Sequence, residues 1–419
     1  MSDNLLQRIQ TLQFEHKEEA EELLISFLRE VYSPQVEKVE LRPLAVSLNS
    51  FNGYITLSDG KRLFFKTHTE PDTVIGEYYN ASKLADAGYP IIRPIFSSTE
   101  VGRQLLVYEI VESASVFDLA WSIECGDNNR FADLKTAQEG ADQQLFDLYL
   151  RTLQVQSGEE AAKSPIHQLF YHRLTGGRLS RFYGKEAADS DVKITLPNGS
   201  HPLSAIRSAH WVINGQIYYE NIDDIIQQAI TVLQPNHPGV SVIGHGDAHN
   251  GNVFFRDDVK PPTLLYFDPA FAGRHSPLLD LVKPIFHNVF AMWMYFPFIK
   301  AQDLQITMQE RGGSLVIEHN YRLHPVREMF LESKLQHVVI PLFKKLQAEQ
   351  TLPSNWREFL KLALFCCPFL TMNLADANKF PPEIALLGLA MSVEMGSESK
   401  SMRSRIDLEL DQIEQELQL

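Results

Sequence analysis

Two apolar runs that end in acidic and amide residues constrain the possible fold of this chain more than any other feature of its sequence. In the stretch 241–267, SVIGHGDAHNGNVFFRDDVKPPTLLYF, apolar residues enter and leave a polar turn, and a second apolar run leads directly into Asp268. Because both runs are typical of strands bounded by turn residues, we expect Asp247, Asn252 and Asp268 to be delivered to the same edge. Oxygen ligands grouped in this way favour a hard cation such as Mg²⁺, and the segment lacks the thiolates of zinc and iron–sulfur sites.

The first quarter of the chain combines helical and strand periodicities. Apolar residues recur at helical spacing over 4–32, which predicts an N-terminal helix. Residues 37–67 alternate instead and contain turn residues, so we predict three strands there. A helix over 72–87 and two further strands, 91–96 and 104–111, complete a five-stranded sheet with one helix.

The remainder of the chain is mostly helical in pattern. We predict helices over much of 115–235, with a hairpin at 192–200, and a helical, apolar region over 285–395. The most apolar stretch, 284–299, contains His287, Asn288 and Pro297 and is too short to span a bilayer, so we interpret it as a buried helix near an active centre. The amphipathic tail 406–417 predicts a helix that packs on the body or on a partner.

Composition excludes several classes of protein. The chain has 38 Lys and Arg against 53 Asp and Glu, a formal charge of −15, which disfavours nucleic acid and anionic membranes as partners. Three cysteines cannot form a disulfide framework, and Cys366 and Cys367 stand in an apolar run where we expect buried thiols. With no signal-peptide pattern at the N-terminus, we expect a cytoplasmic protein.

The polar turn carries a resemblance to a known family. His245-Gly246-Asp247-Ala248-His249-Asn250-Gly251-Asn252 resembles the HGDxHxxN catalytic loop of the aminoglycoside phosphotransferase/choline kinase families, which are small-molecule relatives of protein kinases. The spacing from Asp247 to Asn252 is the spacing that kinase catalytic loops use. Phe267-Asp268-Pro269 resembles the second metal motif of those families, in the place of the protein-kinase DFG.

The resemblance implies an α+β, protein-kinase-like fold with two lobes, a small β-rich N-lobe and a larger helical C-lobe. Residues 1–36 would form a helical extension, and 37–112 would form the nucleotide-binding N-lobe. Residues 113–419 would form the C-lobe, with the catalytic loop at 244–252 and the metal motif at 267–269.

The same resemblance assigns the nucleotide-binding residues. Lys66 lies on the third strand and Glu77 follows eleven residues later on the next helix, as the lysine and glutamate of a kinase do. The loop between the first two strands lacks the GxGxxG pattern and has Gly53 only, so Ser and Asn backbone groups would cover the phosphates. The remaining nucleotide-binding candidates, in this loop and in the hinge after the fifth strand, are Ser50, Asn52, Gly53, Glu109 and Ile110.

The resemblance also implies a separate role for each site residue. Asp247 would orient the acceptor hydroxyl and take its proton, while Asn252 and Asp268 would hold Mg²⁺ on the phosphates. Lys66 would neutralise the α- and β-phosphates, and Glu77 would fix Lys66. The competing interpretations are ordinary turn chemistry for Asp247 and Asn252, a solvated edge-strand lysine, and a solvated helix glutamate.

Supporting roles are expected for three further residues. We expect His245 to hold the loop by hydrogen bonds and His249 to approach the substrate or phosphates, rather than the metal ligation that their spacing also allows. Asp280 would either accept N–H groups of the catalytic loop or act as a plain first-turn acid. A basic cluster, Arg173, Arg178 and Arg181, would either meet an anionic substrate or pair with carboxylates.

The resulting hypothesis is an ATP- and Mg²⁺-dependent phosphotransferase that acts on a hydroxyl of a small molecule. The acceptor would be a metabolite, an amino sugar or an aminoglycoside-like compound, and the acidic composition would suit a cationic one. GTP in place of ATP, the oligomeric state and a part in antibiotic resistance stay open. The alternatives are a non-catalytic pseudokinase that binds nucleotide and an AMP transferase. A metallophosphoesterase is disfavoured, because the chain lacks its GDxxD and GNH[DE] elements.

Overall fold

The strand-rich and helix-rich parts of the sequence form separate units in the computed structural model. Unit 1 comprises Met1–Ala114 and Leu265–Ala270, and unit 2 comprises Ser115–Leu264 and Phe271–Leu419. The structure describes the residues 3–42, 50–68, 80–100, 102–184 and 192–418. The predicted α+β class is confirmed, with a sheet in unit 1 and mainly helices in unit 2.

Unit 1 contains one antiparallel sheet and its helices. The strands follow the order β1-β2-β3-β5-β4. The elements are α1 (Asp3–Glu15), α2 (Lys17–Val31), β1 (Val36–Leu41), β2 (Ser50–Leu57), β3 (Arg62–His68), α3 (described over 80–87), β4 (Phe96–Ser98) and β5 (Leu105–Glu109). The five predicted strands are therefore present. The fourth was placed too early, because Ile91 makes only an isolated bridge, to Tyr266.

The N-terminal helices belong to the core of unit 1. The predicted single helix is two helices, α1 and α2, which break at His16. Alternate residues of β2 point inward, as an amphipathic strand requires, whereas a register shift between Val36 and Lys38 interrupts the alternation in β1. Val39 and Ile55 are buried. Leu24 and Leu28 of α2 join them in one apolar cluster, so the helices cover this face of the sheet.

Unit 2 is built mainly from helices. They are α4 (Val116–Glu124), α5 (Phe131–Thr152), α6 (Gly158–Ala162), α7 (Tyr171–Thr175), α8 (Arg178–Tyr183), α9 (Leu203–Ser208), α10 (Ile222–Val232), α11 (Pro277–Ile285), α12 (Met292–Tyr295), α13 (Pro297–Asp303), α14 (Pro325–Lys334), α15 (Ile340–Ala348), α16 (Trp356–Leu370), α17 (Pro382–Gly396) and α18 (Arg405–Leu417). Two π-helical turns, Phe286–Phe290 and Leu335–Val339, extend α11 and α14. None of the helices in the described ranges combines the length and the apolar composition needed to cross a bilayer.

Short strands complete unit 2. They are β6 (Gln154–Gln156), β7 (Lys193–Leu196), β8 (Gly199–Pro202), β9 (His210–Ile213), β10 (Gln216–Tyr218), β11 (Gly239–Gly244), β12 (Val253–Arg256), β13 (Thr263–Tyr266, which ends in unit 1), β14 (Gly273–His275), β15 (Ile306–Arg311) and β16 (Ser314–His319). The sheets have the orders β14-β11-β6, β10-β9-β16-β15, β12-β13 and β7-β8. The β7–β8 pair confirms the hairpin predicted at 192–200.

The prediction of helix throughout 285–395 is wrong over 306–319. Residues of β15 and β16 pair there in register, from Ile306 opposite His319 to Arg311 opposite Ser314. Gly312 and Gly313 both adopt positive φ, 59° and 85°, which is the backbone of a tight hairpin turn. The alternating sequence ITMQER and the Gly-Gly pair carried this signal, but it was overlooked inside a long apolar region.

The C-terminal helix packs on the body of unit 2. Ile406, Leu410, Ile413 and Leu417 of α18 are buried on one face. Lys361 of α16 pairs with Asp407 at the start of α18, and both side chains are almost fully buried. Of the two placements open at the sequence level, the structure therefore shows packing on the body. Cys366 and Cys367 are buried, free thiols, as predicted.

Candidate functional site

The polar turn after β11 is held by a buried carboxylate from the next helix. Asp280, in the first turn of α11, accepts a hydrogen bond of 2.6 Å from the backbone N–H of Gly246. The same carboxylate contacts His275 Nε2 at 3.0 Å and accepts the hydroxyl hydrogen of Tyr149. Gly246 itself has φ +79°, and a Cβ there would meet the carbonyl oxygen of Phe271. Glycine is therefore required at this position.

These partners determine the ionisation of Asp280. Burial alone would raise the pKa of a carboxyl group that is 3% exposed. The positive potential of His275 and the hydrogen bonds from His275, Tyr149 and Gly246 outweigh burial and lower the pKa of Asp280 to about 2. The charged carboxylate thus fixes the loop that carries Asp247.

The loop closes on itself around Asp247. The amide Nδ2 of Asn252 donates to the Asp247 carbonyl oxygen at 3.0 Å, which leaves Asn252 Oδ1 as an acceptor. His249 Nδ1 accepts from the Gly251 N–H at 3.1 Å, and His245 Nδ1 accepts from the Asp247 N–H at 3.4 Å. His249 Nε2 lies 4.0 Å from Asp247 Oδ2. The structure therefore brings Asp247, Asn252, His245, His249 and Asp280 together within unit 2.

Lys283 is a functional candidate that sequence reasoning missed. Its Nζ lies 3.4 Å from Asp247 Oδ1, and the two side chains are only 4% and 16% exposed. Burial raises the pKa of Asp247, but Lys283, followed by His249, His245 and Arg173, outweighs it and lowers the pKa. Asp247 is therefore an ionised carboxylate in a positively charged environment. A buried lysine one helical turn after Asp280, within the apolar run PLLDLVKPI, was the available signal.

The helix that follows adds two more polar residues to the loop. Pro284 lies inside α11 and cannot donate a backbone hydrogen bond, and the helix continues as a π-helical turn over Phe286–Phe290. Asn288 Oδ1 in this turn accepts from the Asn250 N–H at 2.7 Å, and His287 Nε2 contacts Lys283 Nζ at 3.0 Å. Residues 284–294 of the apolar run are buried and lie beside the loop, as the polar residues indicated, whereas Phe298 and Ile299 at its end are exposed.

In unit 1, Lys66 and Asp268 form the second group of site residues. Lys66 Nζ lies 3.2 Å from Asp268 Oδ1, although the residues are 202 positions apart. Asp268 has φ +55°, an unusual conformation for a non-glycine residue, and its side chain is 43% exposed. Asn80, at the start of the described part of α3, donates to the Pro269 carbonyl oxygen at 3.0 Å and holds this segment.

The other predicted nucleotide-binding residues, except Glu77, belong to β2 or lie at the end of β5. Glu77 lies outside the described residues, and Ser50 is the first residue of β2. Asn52 lies directly opposite Lys66 in the β2–β3 register. Gly53 lies opposite Leu41, where a Cβ would meet the backbone of β1, so strand pairing alone requires this glycine. Glu109 ends β5, is exposed and pairs with Lys61 at 3.0 Å, and Ile110 follows it.

The two predicted metal ligands, one in each unit, carry oxygen atoms of the kind that Mg²⁺ prefers. Within the described ranges, no three His, Cys, Asp or Glu side chains form a group that could hold a metal ion. Asn252 Oδ1, in unit 2, is a neutral oxygen donor, and the Asp268 carboxylate, in unit 1, is a charged one. Mg²⁺ is commonly bound by one or two such side chains plus phosphate oxygens, and dedicated protein cages are unusual for it.

Comparison with known proteins gave structural matches only. No protein-family model and no curated protein sequence matches the chain. An amicoumacin kinase in complex with AMP-PNP, Ca²⁺ and Ami has 13% identity and a TM-score of 0.46, and the match covers 91% of this chain and 96% of that one. An ethanolamine kinase of Plasmodium vivax has 10% identity and a TM-score of 0.47, with coverages of 92% and 93%.

An aminoglycoside phosphotransferase bound to ADP and hygromycin B is similar at the same level. It has 11% identity and a TM-score of 0.46, and the match covers 89% of this chain and 98% of that one. Identities and TM-scores this low transfer neither a substrate nor a residue role to this chain.

Proposed function

We propose that this protein is a phosphotransferase that uses ATP and Mg²⁺ to phosphorylate a hydroxyl group of a small molecule. The observation that supports it best is the pairing of Lys66 on the third strand with Asp268, the aspartate that follows β13. These two residues, together with an Asp-x4-Asn loop, are the parts that a kinase mechanism needs. Turn chemistry alone gives no reason for Lys66 and Asp268 to meet.

Each residue has a separate task in this proposal. The acceptor oxygen forms a bond to the γ-phosphorus, the bond to the ADP oxygen breaks, and the hydroxyl proton passes to Asp247. Lys66 would neutralise charge on the nucleotide phosphates, and Asn252 and Asp268 would hold the metal. The metal supplies charge neutralisation on the phosphate oxygens when bound. Asp247 needs no raised pKa, because a loose transition state asks for an oriented hydroxyl more than for a strong base.

The test is ADP release from Mg-ATP with pooled hydroxyl compounds. Asp247→Asn and Lys66→Ala should each lower the acceptor-dependent rate at least about 100-fold, since each removes charge from the reacting centre. Asp258→Asn and Lys38→Ala, which change exposed residues of the same types, serve as matched controls and should keep the wild-type rate.

The outcomes separate the alternatives. Release of pyrophosphate in place of ADP would identify an AMP transferase. Tight Mg-ATP binding without turnover of any acceptor would identify a nucleotide-binding protein and contradict the proposal. An Asp247→Asn variant with an unchanged rate would contradict the role given to that carboxylate.

A further inference from the structure

The Asp247 carboxylate is the first member of a chain of side-chain contacts in unit 2. Lys283 Nζ contacts both Asp247 Oδ1 and His287 Nε2, and His287 Nδ1 lies 2.7 Å from the hydroxyl oxygen of Tyr295. The Lys283 and His287 side chains are buried, whereas Tyr295 is partly exposed. The chain of contacts therefore runs from the Asp247 carboxylate to the hydroxyl of a partly exposed tyrosine.

The direction of these hydrogen bonds follows from the chemistry of the groups. A lysine ammonium can only donate, so His287 Nε2 must accept from Lys283. Burial, reinforced by Lys283, lowers the pKa of His287 well below its ordinary value, and the neutral ring then carries its single proton on Nδ1. That proton is donated to the Tyr295 oxygen, so the Tyr295 hydroxyl hydrogen points away from His287. Burial also raises the pKa of Tyr295, so its hydroxyl remains protonated and available as a donor.

Two arginines add uncompensated charge beside this network. Arg173 Nη1 contacts Thr371 Oγ1 at 3.4 Å, and its Nε is buried without a partner. Arg178 Nη1 donates to the Leu370 carbonyl oxygen at 3.3 Å. Among the described residues no carboxylate lies within ion-pairing distance of either guanidinium. Burial lowers the pKa of Arg173, and the charge of Asp247 opposes that effect, so the two groups interact electrostatically.

The balance of charge around the loop is thus positive. One carboxylate, Asp247, faces Lys283 and Arg173, with Arg178 adding to the field of Arg173. Resting on the phosphotransferase function proposed above, we propose that the acceptor carries an anionic group, a carboxylate or a phosphate ester. Arg173 and the Tyr295 hydroxyl bind that group. The buried Lys283 adds positive charge near the anionic group but does not contact it. A guanidinium that has no protein carboxylate as its partner can form paired hydrogen bonds with a carboxylate or a phosphate ester of the acceptor.

This inference replaces the expectation of a cationic acceptor, which rested on the net charge of the whole chain. Surface charge governs solubility and steering, whereas the groups near the reacting carboxylate govern which acceptor is tolerated. An ammonium group placed near Arg173 and Lys283 would meet like charges in a partly buried setting. Aminoglycosides, amino sugars and choline are therefore disfavoured.

The test uses four sets of hydroxyl compounds matched in size: carboxylates, phosphate monoesters, neutral alcohols and ammonium compounds. ADP release from Mg-ATP is measured as kcat/KM for each set. Turnover should be confined to one of the two anionic sets. The set that is turned over shows whether the anionic group of the acceptor is a carboxylate or a phosphate ester. Turnover of the neutral or ammonium set would overturn the anionic acceptor and leave the kinase proposal intact. ATP binding without turnover of any set would overturn the kinase proposal and this inference with it.

Variants then test Arg173 itself. Arg173→Gln should raise KM for the active acceptor about 10- to 100-fold, because a charge-assisted hydrogen bond is lost, and should change kcat much less. Arg173→Lys should restore part of the affinity. Arg181→Gln, an exposed arginine of α8, is the matched control and should keep the wild-type KM. An Arg173→Gln variant that keeps its thermal midpoint and its KM would contradict the inference.

Discussion

The buried carboxylate of Asp280 makes a quantitative prediction about stability and pH. Its pKa of about 2 in the folded protein lies about two pH units below the ordinary value of about 3.9. At about 1.4 kcal/mol per pH unit, the charged form stabilises the fold by about 2.6 kcal/mol at neutral pH. Because the folded pKa is the lower one, this stabilisation is present above pH 4 to 5 and is lost as the pH falls towards 2.

Asp280→Asn isolates this contribution with almost no change in shape. The amide keeps one oxygen for the Gly246 N–H but loses the charge that faces His275. We expect the variant to be less stable than wild type by about 2–3 kcal/mol at pH 7, and by about half as much at pH 3, where the unfolded chain is mostly protonated. Below pH 2 the difference should nearly vanish.

Tryptophan fluorescence can follow this unit alone. All four tryptophans, Trp121, Trp211, Trp293 and Trp356, lie in unit 2. Urea titrations at pH 7, 5, 4 and 3 therefore report the unfolding of the unit that contains Asp280. Asp147→Asn, an exposed change on α5, is the control and should leave the unfolding free energy unchanged. A difference between wild type and Asp280→Asn that stays constant from pH 7 to pH 3 would refute the electrostatic reasoning.

Three further predictions follow from the site and from the core. Gly246→Ala should abolish ADP release, because a Cβ at φ +79° meets the Phe271 carbonyl and displaces the loop; circular dichroism should show that the helices persist. Lys361→Met should destabilise unit 2 by about 3 kcal/mol in urea titrations, since it removes the nearest cation of the buried Asp407 carboxylate and leaves only Arg357 at 3.7 Å and Arg403 at 4.0 Å; Asp407→Asn in the same chain should recover part of the loss. EDTA should stop ADP release, and Mg²⁺ should restore it in wild type but not in Asp268→Asn, which lacks the charge of the proposed metal ligand.

The sequence predicted those parts of the structure that local pattern determines. Alternation and turn residues were enough to predict the strands of unit 1 and the β7–β8 hairpin. The loop motif singled out Asp247 and Asn252, which follow β11, and the apolar run TLLYF singled out Asp268, which follows β13; the roles given to them stay predictions. The break at His16 was missed because both flanking segments have helical periodicity, and the β15–β16 hairpin was missed because it lies between long helices.

What the sequence could not give was the set of long-range partners. Nothing in the spacing shows that Lys283 faces Asp247, that Asn288 caps the Asn250 N–H, or that Tyr149 reaches Asp280 across 131 positions. These contacts depend on how α5 and α11 pack around β11. The sequence signal for them was generic, namely polar side chains inside apolar helices, which marks a buried network without naming its members.

The position of Lys283 also shows why net charge is a poor guide to the acceptor. The chain carries −15 overall, yet the groups whose charges act on Asp247 are a lysine, an arginine and two histidines. Coulomb interactions with exposed charges are screened within about 8–10 Å in physiological salt, whereas a buried ammonium 3.4 Å from the carboxylate is screened far less. An acceptor whose hydroxyl reaches Asp247 must place its other groups in this local field. The anionic acceptor thus follows from the nearest charges, and the acidic surface has little influence on it.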